Sequence, residues 1–454
     1  MALNAKLGSL STTVIVLFAS YLYYLLAKAP EAPKLEEAWW DEGDEGKDDI
    51  SIRPFKINVT TRELQDLELR LNISRPPTPS LETTHHEYGL NPKVLYKYLH
   101  ILKTEYNFTE RQDFLNQFPQ FTTQIQGLTI HFLHIVPDNP EKLPVFPILL
   151  LHGWPSSVIH FTSMIPSLTK QTNHSFLLEL VIPSLPGFGY SSAPRKPNFQ
   201  AHNIAHVFLT LMRRLNHERF YVHGNDWGGI VGAHLTTLFP EAVLGFHSNF
   251  CFSLRYISLV KIILGSLYPP LIVAKESENK LYPLFDYIRF CLTENGYYHV
   301  QGTKPDSIGL ALDNSLEGLL SYVLEKFSVA ANKDNIHLPD AGLDKYNTTT
   351  LLDIILFYYW FPKTSTTSSR LYAENINVKV FEIGVHNLPI DKSVPCGCAF
   401  FEHEFMYQPE SILRDKFTNL MHYNTYKSVG HFAALEGSDL LVKDIISFVS
   451  KTLN

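Results

Sequence analysis

The chain has 454 residues, of which 45% are hydrophobic and 18% charged, and its formal net charge is −7. This length exceeds one average domain but suits a single catalytic core with an insertion. The net negative charge and the lack of a continuous run of Lys and Arg residues argue against a nucleic-acid partner. We therefore expect chemistry on a small molecule.

The first feature along the chain is an apolar, uncharged segment from Leu7 to Ala27. Its length matches the thickness of a bilayer, and the tyrosines that precede Lys28 are typical of a membrane interface. We therefore expect a transmembrane anchor in residues 1–29 that binds membrane lipid, in preference to a cleaved signal peptide. Positive charges on the two sides nearly balance, which leaves the orientation open.

The next two regions are an acidic segment and a helical one. Residues 30–49 are rich in Asp and Glu, which is typical of a solvated linker, although Trp39-Trp40 departs from that pattern. Residues 50–123 carry helical periodicity and are interrupted by Pro76-Pro77-Thr78-Pro79. We interpret 50–123 as an N-terminal extension that packs on the core.

Buried strands alternate with helices over residues 124–250. This alternation predicts an α/β fold with a mostly parallel sheet that is covered by helices on both faces. The predicted strands are Leu128–Ile135, Val145–Leu151, Leu178–Ile182, Phe220–Val222 and Val243–His247.

The alternation stops after residue 250. Segments such as Tyr256 to Leu264 and Leu316 to Phe327 are helical, so we expect a helical cap over 251–360. The second part of the core, 361–454, then has predicted strands at Val378–Ile383 and Asn424–Val429 and a last helix near 440–449.

The motif Gly224-Asn225-Asp226-Trp227-Gly228-Gly229 has the spacing of a nucleophile elbow, with an acid in the nucleophile position. A carboxylate is ionised near neutral pH and can attack carbon, which gives an alkyl ester of the enzyme. Cleavage of that ester by water requires a base and amide donors for an oxyanion. Asn225 fills a free position of the motif, so we expect it to have little consequence.

The donors and the base have candidates elsewhere in the chain. His152-Gly153-Trp154-Pro155 follows a predicted strand, where this architecture places one oxyanion donor. We expect the Trp154 and Trp227 amides to converge on one oxygen of the Asp226 carboxyl. His431 directly follows the last predicted strand, which is the position of the base.

The acid that orients His431 stays open at this point, because several carboxylates follow the predicted strand before it. Spacing does not separate the candidates Glu402, Glu404, Glu410 and Asp391. A strained ring oxygen would also need a proton donor, which a lid tyrosine can supply. The candidate tyrosines are Tyr297, Tyr298 and Tyr372.

The four cysteines do not form a disulfide framework. Cys251 and Cys291 lie in apolar stretches, so we interpret them as buried thiols. Cys396-Gly397-Cys398 is the only close pair. Because the sequence has no second pair of Cys or His residues at the spacing of metal ligands, a loop disulfide is favoured over a metal site.

Taken together, these features resemble the microsomal epoxide hydrolase family, which includes the juvenile hormone epoxide hydrolases. The resemblance runs nearly end to end. Besides the apolar anchor and Trp39-Trp40, the matching motifs are Ser51-Ile52-Arg53-Pro54-Phe55-Lys56, His152-Gly153-Trp154-Pro155, Pro183-Ser184-Leu185-Pro186-Gly187-Phe188-Gly189, the Asp226 elbow, Gly296-Tyr297-Tyr298-His299-Val300-Gln301 with Thr303-Lys304-Pro305-Asp306, and Gly430-His431-Phe432-Ala433-Ala434.

The resemblance implies an α/β-hydrolase core with a helical cap, no cofactor or metal, and hydrolysis of epoxides to vicinal diols through an ester on Asp226. It makes His431 the base, and Tyr297 and Tyr372 the donors to the epoxide oxygen. It favours Glu404, a few residues before a Pro-Glu pair, as the acid, with Glu402 as the alternative. Neighbours on a helix point about 100° apart, so Tyr298 cannot share the role of Tyr297.

The expected partners are an apolar epoxide, water and membrane lipid. The resemblance places the enzyme in the endoplasmic reticulum (microsomal) membrane, and we expect the catalytic domain on the cytosolic side. Two alternatives are a haloalkane dehalogenase, which uses the same carboxylate and base, and a non-catalytic membrane binder of lipids or steroids. Drug metabolites, fatty-acid epoxides and an isoprenoid hormone all suit an apolar lid.

Overall fold

The computed structural model describes residues 21, 28, 31–35, 37–170, 175–376 and 383–453. A nine-stranded sheet forms its centre, with the strand order β1-β2-β3-β5-β4-β6-β7-β8-β9. The pairs up to β3–β5 are antiparallel, and the pairs from β5–β4 to β8–β9 are parallel. The strands are β1 Arg53–Phe55, β2 Gln120–Ile125, β3 Leu128–Ile135, β4 Val145–Leu151, β5 Leu177–Pro183, β6 Phe220–Gly224, β7 Val243–Ser248, β8 Cys396–Phe401 and β9 Leu420–Tyr426.

Helices lie between β1 and β2, flank the parallel strands, and fill the chain between β7 and β8, where the described residues contain no named strand. They are α1 Thr61–Ile73, α2 Pro92–Thr104, α3 Phe108–Leu115, α4 Ile165–Thr169, α5 Ala201–Arg214, α6 Trp227–Leu238, α7 Tyr256–Gly265, α8 Leu284–Glu294, α9 Gly296–Thr303, α10 Pro305–Asn314, α11 Leu316–Val329, α12 Thr348–Ile355, α13 Ser365–Ile376, α14 Glu410–Leu413, α15 Ala433–Glu436 and α16 Ser438–Leu453.

The parallel strands are covered on both faces. In β4 the last four residues, Ile148 to Leu151, are all buried, which explains why the strand reads as a continuous apolar run. α5 buries Ile204, Phe208 and Leu211 on its inner face, at the spacing of one helical stripe. The predicted mostly parallel sheet covered by helices is therefore confirmed, and all five strands predicted over 124–250 are present.

The sequence analysis missed three strands, β1, β2 and β8, and displaced a fourth, β9. β1 and β2 lie at the two ends of the region that we interpreted as helical, and β8 has a Cys-Gly-Cys start that lacks β-branched residues. The last strand is Leu420–Tyr426, earlier than the predicted Asn424–Val429. The predicted strand at Val378–Ile383 lies, apart from Ile383, outside the described residues.

The predicted acidic linker is attached to the core near its end. The Asp48 carboxylate accepts hydrogen bonds from the backbone N–H groups of Gln126 and Gly127, at 2.6 and 2.8 Å. Trp40 is buried, and its indole N–H donates to the Gln126 side chain at 3.0 Å. Trp40 and Asp48 therefore attach this segment to the β2–β3 turn, whereas residues 42–47 between them are exposed.

The predicted anchor at 1–29 lies outside the described residues, apart from Tyr21 and Lys28. Within the part of the chain that the structure describes, no helix is both long enough and apolar enough to cross a bilayer.

A disulfide joins Cys251, just after β7, to Cys398 in β8. Cys251 is therefore not the free thiol that we expected, and Cys398 pairs with it and not with Cys396. Cys396 is a buried free thiol, and Cys291 is free and half-buried. The sequence could not reveal this pairing because β7 and β8 become neighbours only in the folded sheet.

Removal of this disulfide should lower the free energy of unfolding strongly. It closes a loop over 147 residues of sequence separation. The chain-entropy relation gives about 5 kcal/mol for a loop of that size. We expect urea unfolding of Cys398→Ala to show a lower midpoint than wild type, with Cys291→Ala as the matched free-cysteine control. Equal midpoints for the two variants would contradict this expectation.

Candidate active site

Asp226 lies on a strained turn between β6 and α6. Its φ and ψ are 54° and −129°, a conformation that residues other than glycine rarely adopt. Close backbone contacts surround the turn, because a Cβ on Gly224 would come within 2.2 Å of Gly228 O and one on Gly228 within 2.1 Å of Leu151 O. The small residues of the motif are therefore sterically required, and the turn directs the Asp226 side chain away from the sheet edge.

The loop after β4 provides an amide donor to Asp226. The Trp154 N–H donates to Asp226 Oδ1 at 2.8 Å. Gly153 permits this approach, since a Cβ there would lie 2.2 Å from the same oxygen. The expected second donor, the Trp227 N–H, makes no hydrogen bond to Asp226 in the described structure.

His431 lies between Asp226 and Glu404. Its Nε2 is 3.5 Å from Asp226 Oδ2, and its Nδ1 is 3.0 and 2.9 Å from the two oxygens of Glu404. His431 follows β9 and Glu404 follows β8, so the parallel order of these strands brings the two side chains to one edge of the sheet. The imidazole is 2% exposed and the Glu404 side chain 2%.

The other candidate acids have different partners. Glu402 accepts a hydrogen bond from the Ser428 N–H at 3.3 Å. Glu410 forms an ion pair with Arg414 at 2.5 Å, and Asp391 accepts from the Ser393 N–H at 2.8 Å. Glu404 is thus the candidate that contacts the His431 ring.

The two carboxylates control the charge of His431. Burial lowers the pKa of the imidazole, but Glu404 and the hydrogen bond to Asp226 oppose this effect and raise the pKa to about 10. Burial raises the pKa of Glu404, and His431 opposes that shift. While Asp226 is ionised, His431 is therefore a cation near neutral pH.

Two of the three candidate tyrosines pack against Trp154 and Trp227, the residues whose amides flank Asp226 in the predicted site. The Tyr297 ring stacks on Trp154 with centroids 5.1 Å apart, and Tyr372 meets the Trp227 ring edge-on at 5.0 Å. Burial, together with the nearby Asp226 charge, raises the pKa of both phenols, so both keep their protons. Tyr298 contacts the Tyr372 ring but is 42% exposed.

A small cavity opens onto Asp226 and His431. Its apolar walls include Phe290, Val329 and Phe405. Lys326 also lines it, with its ammonium 4.8 Å from the centre of the Tyr297 ring, a cation–π contact. Sequence reasoning missed Lys326, because a single lysine on an amphipathic helix reads as a surface charge.

Among the residues that the structure describes, two groups of side chains could hold a metal ion, and neither includes a residue of the Asp226 cluster. They are His134, Glu179 and His217, which are partly exposed, and His247, His422 and Asp444, which are buried. In both groups each histidine already hydrogen-bonds to the carboxylate, at 2.6 to 3.0 Å. Each carboxylate thus has donors from the protein itself.

Comparison with known proteins extends over the whole chain. Residues 52–161 match the family described as the epoxide hydrolase N terminus, and residues 147–249 match the α/β-hydrolase fold. The juvenile hormone epoxide hydrolase of Bombyx mori is 40% identical over 98% of this chain and 97% of its own length. Epoxide hydrolase 1 of Oryctolagus cuniculus is 36% identical over 99% of both chains.

Solved structures agree with these relationships. The crystal structure of the Bombyx mori juvenile hormone epoxide hydrolase superposes with a TM-score of 0.88 at 39% identity, covering 92% of this chain and 99% of that one. The Aspergillus niger epoxide hydrolase gives a TM-score of 0.72 at 26% identity, covering 94% and 99%. The chain has an α/β-hydrolase core, is an epoxide hydrolase, and belongs to the microsomal epoxide hydrolase family.

Proposed function

We propose that the enzyme converts apolar epoxides to vicinal diols through a covalent ester on Asp226, which water activated by His431 and Glu404 then cleaves. The observation that carries this proposal is the contact sequence Asp226, His431, Glu404 beside a pair of protonated tyrosines. It gives a nucleophile, a base with its orienting acid, and phenolic donors nearby, with Asp226, His431 and Tyr297 lining one cavity.

In the first step, Asp226 Oδ2 attacks an epoxide carbon, and the bond from that carbon to the ring oxygen breaks. The ring oxygen takes the phenolic proton of Tyr297 or Tyr372, so it leaves as a hydroxyl and not as an alkoxide. Tyr297 lines the same cavity as Asp226, and Tyr372 packs edge-on against Trp227, the residue after the nucleophile, with ring centroids 5.0 Å apart.

In the second step, water attacks Cγ of Asp226 and gives a proton to His431 Nε2. The oxyanion forms on Oδ1, which the Trp154 N–H already contacts at 2.8 Å. Collapse of this intermediate breaks the bond from Cγ to the alkyl oxygen, which takes the proton back from His431. The diol leaves, one oxygen of Asp226 comes from water, and the Asp226 carboxyl passes its remaining proton to His431, which restores the resting ion pair.

The charge change during the first step prepares the second. Esterification removes the negative charge of Asp226, which is one of the two carboxylates that raise the pKa of His431. The pKa of His431 then falls, and the proton that it releases restores the phenol of the tyrosine that donated in the first step. The imidazole is therefore a neutral base once the ester has formed.

A haloalkane dehalogenase is the closest rival function. Such an enzyme would hold the leaving halide with indole N–H groups, for which Trp227 was the candidate. Trp227 instead packs edge-on against Tyr372, with ring centroids 5.0 Å apart, and the phenols of Tyr297 and Tyr372 keep their protons. Two phenolic donors favour an oxygen leaving group over a halide.

The apolar walls of the cavity suit epoxides that partition into membranes, and we propose this class as substrate.

The proposal also includes the predicted anchor at 1–29, a location in the endoplasmic reticulum membrane, and the domain bounds given above for the extension and the helical cap. The disulfide between Cys251 and Cys398 argues against the cytosolic side that we expected, because disulfides persist mainly in oxidising compartments.

Multiple turnovers in ¹⁸O-labelled water test the proposal. The panel should contain apolar epoxides and haloalkanes of equal size. We expect diol from the epoxides, no halide release, and label in the peptide that contains Asp226. Diol formation without label in that peptide would refute the covalent route, and halide release would favour the dehalogenase.

The acid assignment predicts a large contrast between two neighbouring glutamates. Glu404→Gln should lower kcat by about 10³-fold, because a neutral amide no longer stabilises the imidazolium or fixes its tautomer. Glu402→Gln is the matched control and should leave kcat within about twofold, since its carboxylate contacts the Ser428 N–H and not His431. Steady-state rates of both variants measure this, and equal losses would contradict the assignment.

A further inference from the structure

The main chain around His431 is hydrogen-bonded on both sides of the base. The Glu436 carboxylate accepts from the Gly430 N–H at 2.9 Å with Oε2, and from the Phe432 N–H at 3.0 Å with Oε1. The His431 N–H itself donates to the Ala330 carbonyl at 3.2 Å. One side chain thus holds the residues that precede and follow the base.

The His431 carbonyl is also held, and by the nucleophile turn. The Asn225 amide donates to His431 O at 3.0 Å, and Asn225 is 3% exposed. The expectation that Asn225 has little consequence was therefore wrong in structural terms. The side chain next to Asp226 connects the nucleophile turn directly to the backbone of the base.

Glu436 is itself a buried charge with several partners. Its side chain is 2% exposed, it forms an ion pair with Lys345 at 2.8 Å, and it accepts from the Tyr346 hydroxyl at 3.1 Å. Placing a carboxylate in the interior is costly unless every oxygen is satisfied. Here two of the donors are the backbone amides that flank His431.

We propose that Glu436 is a positioning residue that keeps His431 in place for ester hydrolysis, with Asn225 as a second support. Nε2 must remain near the Asp226 carboxyl and Nδ1 must remain on Glu404, so a shift of the His431 main chain would disturb both contacts. A displacement of about 1 Å in a catalytic group can cost about 10²-fold in rate. This inference rests on the covalent mechanism proposed above.

Glu436→Gln tests the proposal, because the variant keeps the size of the side chain but directs an NH₂ group at a backbone N–H. We expect kcat to fall about 10- to 100-fold. The rate of ester formation should stay within about threefold, so the esterified fraction at steady state rises. Single-turnover kinetics and mass spectrometry of acid-quenched enzyme measure both quantities.

Asp353→Asn is the matched control for general destabilisation. Asp353 is as buried as Glu436, at 1% exposure, and pairs with Arg111 at 2.6 Å. This variant should lower the melting temperature without raising the esterified fraction. If Glu436→Gln raised the esterified fraction no more than Asp353→Asn does, a purely structural role would replace the positioning role.

Asn225→Ala provides a second variant should Glu436→Gln fail to fold. It removes only the hydrogen bond to the His431 carbonyl, and we expect a smaller rise in the esterified fraction, about two- to tenfold. An unchanged esterified fraction in Asn225→Ala would contradict the proposed supporting role of Asn225. Wild-type enzyme that produces diol without any ester would overturn the covalent mechanism instead, so the two failures are distinguishable.

Discussion

Asp226→Asn is expected to abolish diol formation, with a fall in kcat of at least about 10⁴-fold. An amide is not an effective nucleophile toward an epoxide carbon, so no ester can form and the rest of the site has nothing to hydrolyse. Asn retains the shape of Asp and tolerates unusual backbone angles better than most residues, which suits the φ of 54° at this position. Steady-state turnover of an apolar epoxide measures the loss.

Binding of a non-reactive apolar ligand is the control for this variant. It should stay within a few-fold of wild type, because the cavity walls Phe290, Val329 and Phe405 are unchanged. Residual turnover above about 10⁻² of wild type would contradict the nucleophile assignment. If wild-type protein bound the ligand but turned over no epoxide, and Asp226→Asn bound it equally well, the protein would be a membrane lipid or steroid binder.

The chemical core of the site could be predicted because short motifs carry it. A Cβ on Gly224 or Gly228 would come within 2.2 or 2.1 Å of a backbone oxygen, so this turn requires glycine at both positions and the sequence shows it. His431 could be placed by its position after the last strand. The choice of Glu404 over Glu402 needed the family resemblance, since two residues of spacing in a loop carry no geometric information.

The supports of the site could not be predicted in the same way. Glu436 reads as a helix-end charge, and Asn225 occupies a position where the motif allows any residue. Asn225 contacts the carbonyl of His431, which lies 206 residues later in the sequence. Glu436 contacts the backbone beside His431 through a short turn. The pairing of Cys251 with Cys398 likewise depends on which strands become neighbours, which periodicity does not encode.

The pH dependence of the two steps should differ because the pKa of His431 changes between them. In the free enzyme, burial lowers this pKa but the two carboxylates raise it to about 10. In the ester only Glu404 still opposes burial, so the pKa is lower and the neutral base is present at and above it. We expect kcat to fall as the pH decreases through this lower value, whereas the rate of ester formation, which needs no base, should lack that acidic limb.

His431→Gln should separate the steps most clearly. The Gln amide can still donate to Glu404, which avoids leaving a buried carboxylate without a partner. We expect ester formation to proceed, while hydrolysis slows by about 10²- to 10⁴-fold through loss of the base. One equivalent of epoxide should be consumed in a burst, with the mass of the enzyme raised by that of the epoxide. Repeated turnover without accumulated ester would show that another group activates the water, and His431→Gln would then retain the pH dependence of wild type.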